Sequence, residues 1–224
     1  MQNIIKKIKD PGSAITHFIG MFLAILAASP LIIRAMSRPG GIYVVSACVF
    51  IVSMIMLYGA STAYHTFNLG TAKNLMLKKL DHMMISVLIA GTYTPVCLIV
   101  LHGFMGYLLL SLVWGIAVVG IIINIFWINC PKWFSSLLYI AMGWVCVIAF
   151  RQIWGALSTA AFAWLLAGGI IYTIGGVIYA LKLPIFNARH KFFGSHEIFH
   201  LFVMAGSLCH FVFIYAYVLR MPIA

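Results

Sequence analysis

Acidic side chains are almost absent from this chain: Asp10, Asp81 and Glu197 are the only three among 224 residues, against 14 Lys and Arg. Charged residues of either sign make up 8% and hydrophobic ones 64%, too little polar surface to cover a soluble globule of this length. The chain therefore belongs in lipid. Its formal net charge of +11 does not point to nucleic acid, because the basic residues are spread in small groups between apolar runs and form no stripe. The five cysteines, Cys48, Cys97, Cys130, Cys146 and Cys209, have no C-x-x-C spacing and fall mostly inside apolar runs. They read as buried packing residues, which leaves out a disulfide frame and a thiolate metal site. There is no long polar linker and no convincing internal repeat. The first absence predicts one membrane domain over residues 1–224, and the second weighs against a transporter built from inverted halves.

What is present is a series of apolar runs. They lie at about Ala14 to Ile33, Gly41 to Phe67, Leu80 to Leu101, Met105 to Phe126, Trp133 to Phe150, Ala160 to Leu181 and His196 to Leu219. Most approach or exceed the ~20 residues that cross a bilayer as a helix, the fifth being the shortest. The sequence thus predicts an all-α, polytopic fold with seven transmembrane helices. Residues 1–11, with Lys6, Lys7 and Lys9 among Ile4, Ile5 and Ile8, read as a short amphipathic surface helix. The first run is read as a retained span, since its small-residue stretch Ala27-Ala28-Ser29 is followed by Pro30, a poor context for signal cleavage. Ten of the basic residues fall on the side of the N-terminus and four on the other side. This bias predicts a cytoplasmic N-terminus and an external C-terminus in the cell (inner or plasma) membrane.

Within the runs, Pro95 should kink the third helix or release a carbonyl, with Thr92 and Thr94 resatisfying the backbone. Gly168, Gly169, Gly175 and Gly176 recur at a seven-residue interval and mark a close-packing face.

The polar residues collect at one end. Ser61 and His65 close the second run, Asp81 and His82 open the third, and His196 and His200 open the seventh. Under the charge count all three ends face the cytoplasm. His196 and His200 are one helical turn apart, about 40° around the axis and about 6 Å along it, so both rings reach one ion. With His65 they supply three imidazoles, the protein ligand set of a catalytic zinc, and water takes the fourth position. Asp81 is then placed to hold that water or orient a ligand, and Ser61, on the face of His65, to support the same water. The structural alternatives stand beside this reading: interfacial histidines bonded to each other or to water, carboxylates favoured by a helix dipole, and a serine bonded back to its own helix. His82 is turned about 100° from Asp81 and suits an interfacial hydrogen bond. His17 and His190 lack ligand spacing. His210, roughly 15 Å deeper than His200, is expected to make a satisfied packing hydrogen bond.

Taken together, Ser61-x-x-x-His65, Asp81, the stretch Ala90-Gly91-Thr92-Tyr93-Thr94-Pro95, and His196-x-x-x-His200 resemble the hemolysin III branch of the progestin and adipoQ receptor family. The resemblance covers almost the whole chain. It implies a seven-helix bundle with a cytoplasmic-side Zn2+ on His65, His196 and His200, and with Asp81 and Ser61 around the water. It also implies a role in membrane lipid homeostasis with membrane lipids as partners, and in some members hydrolysis of lipid amides such as ceramides, so that a lipid amide or ester is the expected substrate. The cytolytic role suggested by the family name has no counterpart in these residues.

Two other readings remain open at this level. His196-Glu197-x-x-His200 fits a metalloprotease with Glu197 as general base, although no later Asp-Gly follows it. A sensor or receptor with a purely structural zinc, the stronger of the two, fits if a protein group closes the fourth position. A retinal protein is excluded, since His196 to Leu219 contains no lysine.

Overall fold

The computed structural model describes residues 8–181 and 194–223. The amphipathic helix expected over residues 1–11 therefore lies mostly outside the described residues, as do Lys182, Arg189, His190 and Lys191.

All of the regular structure among the described residues is helical, and seven helices are long and apolar enough to span a membrane. Spans one and two are α1 (Pro11–Met36) and α2 (Gly41–Thr66). Span three is α3 (Thr71–Pro95), prolonged by a π-helical segment over Val96–Leu101. Span four is α4 (Gly103–Phe126). Span five consists of α5 (Lys132–Trp144), a 3-10 segment (Val145–Ala149) and α6 (Phe150–Ala156). Spans six and seven are α7 (Thr159–Leu181) and α8 (Ser195–Ala216), the latter followed by a 3-10 turn at Val218–Arg220. The short turns between the first three spans end at Gly40 (φ +93°) and Gly70 (φ +89°), in a backbone region that residues with a Cβ rarely enter.

The centre of the bundle is the α2–α3 pair. Tyr43, Phe50 and Tyr58 of α2 are buried against Leu31 of α1 and Phe213 and Ile214 of α8, while α3 is the most enclosed span. Peripheral helices carry their large apolar side chains outward, as Phe18, Phe22 and Leu26 of α1 and Phe104 and Phe126 of α4 do, a surface suited to lipid and not to water. Close approach depends on missing side chains. A Cβ on Gly91 would run into Ser53 of α2, and one on Gly175 would come within 2.7 Å of Phe202 of α8. Gly168 and Gly176 meet His210 and Ile140 in the same way, so the glycine face expected in the sixth span is real, with Gly169 alone facing open space.

Three local features differ from the sequence reading. Asp81 does not open its helix: α3 starts ten residues earlier at Thr71, because the lysine-containing stretch from Thr71 to Leu80 is itself helical. The dipole of a helix N-terminus therefore does not account for a carboxylate at Asp81. At Pro95 the threonines bond one turn back, Thr92 Oγ1 to the Leu88 carbonyl (2.8 Å) and Thr94 Oγ1 to that of Ala90 (2.9 Å). The missing N–H is absorbed by the change to π geometry that begins at the next residue. The fifth span is longer than expected but broken, because the Tyr93 hydroxyl of α3 inserts into its ladder, donating to the Gly143 carbonyl (2.6 Å) and accepting from the Cys146 N–H (3.0 Å).

Candidate metal centre

The three histidines singled out by spacing meet in space. Ring nitrogens of His65, His196 and His200 all lie within 4.8 Å of one another, an arrangement that could hold a metal ion. Nε2 of His65 and Nε2 of His196 are 3.2 Å apart. Two nitrogens bound to one tetrahedral zinc at 2.0–2.1 Å would be separated by about 3.4 Å, so the spacing fits.

The hydrogen bonds around the rings fix which nitrogens are free. His65 Nδ1 lies 3.0 Å from Asp10 Oδ2, so the N–H is on Nδ1 and the lone pair on Nε2. His200 Nδ1 is 3.2 Å from Thr16 Oγ1. That hydroxyl already turns its single proton toward the Gly12 and Ser13 carbonyls, so it accepts from His200, whose Nε2 is again left with a lone pair. A carboxylate or hydroxyl behind each imidazole is the usual device for orienting a metal ligand and raising its basicity. His196 Nδ1 has no partner, and the ring is held instead by Tyr179 and Phe199.

Asp10 reaches His65 because residues 9 and 10 run alongside the end of α2, with Asp10 N–H donating to the His65 carbonyl (2.9 Å) and Lys9 N–H to that of Thr66 (3.3 Å). Lys9 Nζ sits 3.4 Å above the Tyr64 ring and bonds the Tyr64 carbonyl, and burial lowers its pKa against the opposing pull of Asp10. Replacing Asp10 with alanine is expected to weaken zinc binding about 10- to 100-fold without unfolding the bundle, measured by competition against a chelating dye. An unchanged affinity would remove Asp10 from the site.

Ser61 and Asp81 border the same cavity as His196 and His200, a space of about 210 Å³ inside the bundle whose walls are largely apolar, including Leu57, Ile85 and Ile140. Ser61 is fully buried beside Asp81, and its hydroxyl has no hydrogen-bond partner of good geometry. Asp81 is 7% exposed, and the nearest nitrogen paired with it is His82 Nδ1 at 3.6 Å. That nitrogen donates to the Lys78 carbonyl at 2.9 Å, the interfacial bond expected of His82.

Glu197 is turned to another task. Oε1 accepts from the Ser13 hydroxyl (2.6 Å) and Oε2 from the Gly194 N–H (2.8 Å), so the carboxylate caps α8 and ties it to α1. Glycine at position 194 leaves the reciprocal half of a capping box unmade. With both oxygens occupied and no place among the cavity-lining residues, Glu197 is not set up as a general base. Glu197→Gln should keep its metal and lower stability by about 0.5–2 kcal/mol, read from thermal unfolding in detergent. Loss of metal would reopen the protease reading.

Two partners of the site, Asp10 and Thr16, escaped the sequence reading; His17, set aside there for want of ligand spacing, is a neighbour of the site and not a member of the ligand cluster. The His17 ring is stacked on His200 (centroids 3.6 Å apart, 4° between planes), is 3% exposed, and has no partner at either nitrogen. The signal was the face of α1 that carries Ser13, His17, Gly20 and Ala24, small or polar residues in an otherwise greasy helix.

Fold and site together define a multi-pass membrane protein with seven helices and a histidine cluster, buried between α2 and α8, that could hold a metal ion. A family model described as Haemolysin-III related matches residues 5–211, and the chain belongs to that family. It is 39% identical to the Hemolysin-3 homolog of Bacillus subtilis (strain 168) over 96% of each chain. With Hemolysin-3 of Bacillus cereus it shares 41% identity over 94% of this chain and 92% of the relative. A more distant likeness, 26% identity over 72% of this chain and 40% of the relative, extends to an adiponectin receptor protein of Drosophila melanogaster.

Proposed function

We propose that this protein is a zinc-dependent hydrolase of lipid amide or ester bonds that works in membrane lipid homeostasis, with its site on the cytoplasmic side of the cell membrane. The observation that carries this reading is the arrangement of donors: His65, His196 and His200 beside the buried pair Ser61 and Asp81, at an apolar cavity inside the bundle. Neutral imidazole nitrogens suit zinc, and three of them leave a position for water. The ten-to-four split of basic residues supports the orientation.

When bound, zinc supplies a Lewis acid for an acyl carbonyl and lowers the pKa of a coordinated water toward about 7. His65 and His200 hold their Nε2 lone pairs in place through Asp10 and Thr16. Asp81 accepts the proton of the attacking water and returns it to the leaving amine or alkoxide. Ser61 donates a hydrogen bond that steadies the water. The apolar walls seat the acyl chain.

The test is fatty-acid release from lipid amides and esters by the purified protein in liposomes. The expected result is release that a chelator stops and added zinc restores. Stoichiometric zinc with no release from either substrate class would favour a sensor whose metal only ties α2 to α8.

A further inference from the structure

The face of α8 that presents the metal ligands does not end with them. His196, His200, Val203, Ser207 and His210 repeat at alternating intervals of four and three residues, one stripe along the helix, and His210 lies about 15 Å beyond His200. His210 lines the same cavity as the metal ligands, is 6% exposed, and has no hydrogen-bond partner at Nδ1. The satisfied bond expected for it from the sequence is not made. Its ring is held between Tyr172, with centroids 5.3 Å apart, and the bare backbone of Gly168.

Next to it is a trio of hydroxyls with one proton too many. Tyr58 donates to Ser207 Oγ at 2.8 Å, and Ser207 and Tyr172 share one further bond at 2.8 Å. Three O–H groups are thus served by two bonds, and the trio makes no other hydrogen bond among the described residues. One donor is left over on Ser207 or on Tyr172, and Tyr172 also lines the cavity. A partnerless imidazole and a surplus hydroxyl proton, side by side at the depth of the hydrocarbon, are costly to keep unless something uses them.

We propose that His210 and Tyr172 form a second recognition point in the cavity that binds a hydroxyl group carried on the acyl chain of the lipid, well away from the bond held at the metal. One hydroxyl satisfies both residues: it donates to the imidazole and accepts from the phenol. The ligand class is therefore a hydroxylated acyl lipid. This rests on the proposal that the cavity seats an acyl chain, but not on turnover.

The test is equilibrium binding of radiolabelled octadecanoate and 12-hydroxyoctadecanoate to the purified full-length protein in detergent. The wild type should bind the hydroxy acid about tenfold more tightly, the increment of one good hydrogen bond. His210→Phe should keep its metal and its affinity for octadecanoate and lose the preference. Should that variant fail to accumulate, Gly168→Ala serves, since its Cβ would lie 2.6 Å from His210 Nε2 and must displace the ring; its preference should fall as well. Equal binding of the two acids by the wild type, or a preference that survives these substitutions, would overturn the proposal. Failure of octadecanoate to bind at all would overturn the acyl-chain cavity with it.

Discussion

His200→Ala protein, purified in detergent, should carry less than about 0.1 zinc per chain where the wild type carries about one. His200 shares a helix face with His196 and meets His65 from another span, so its removal leaves two imidazoles from two helices and, among the described residues, no third His, Cys, Asp or Glu to complete the cluster. His17 cannot take its place: the ring is stacked flat on His200 and lies outside the ligand cluster. The helices themselves should persist, because α8 also packs through Phe213 and Ile214 into the core around α2. Normal helix content with lost metal is therefore the expected pair of readings, by circular dichroism and elemental analysis. Unchanged zinc content would refute the ligand set.

Asp81→Asn tests the chemistry instead of the binding. The substitution keeps the shape of a 7% exposed side chain and removes its capacity to take a proton. Metal content should stay near one per chain, since the three imidazoles and their partners Asp10 and Thr16 are untouched. Hydrolysis of lipid amide or ester should fall by about 10²- to 10⁴-fold, the usual worth of a positioned general base. Activity within tenfold of wild type at full zinc loading would assign Asp81 a structural part. A loss of zinc would place the carboxylate among the metal's own ligands.

The local parts of this site were legible in the sequence and the non-local parts were not. Ser61 with His65, and His196 with His200, are one-turn pairs, and a helix guarantees that each pair shares a face whatever the rest of the fold does. That the two pairs meet followed from topology, since both close or open spans at one end of the bundle. Asp10 could not be read in this way: its contact with His65 depends on an extended stretch lying along the end of α2, and no periodicity reports that. The start of α3 was placed too late because lysines in an exposed helical turn look like a loop when only hydropathy is followed. The break in the fifth span was hidden for a different reason, because its cause, Tyr93, sits in another helix. His210 was expected to be satisfied on the general rule for buried imidazoles, and the exception is what points to a ligand.

Diffraction data from crystals of the wild-type protein, collected on both sides of the zinc absorption edge, test the central claim most directly. One anomalous peak is predicted, about 2.0–2.1 Å from Nε2 of each of His65, His196 and His200, with Asp10 on the far nitrogen of His65 and Thr16 on that of His200. No peak there, or an ion bound through Nδ1 with Asp10 turned away, would contradict it.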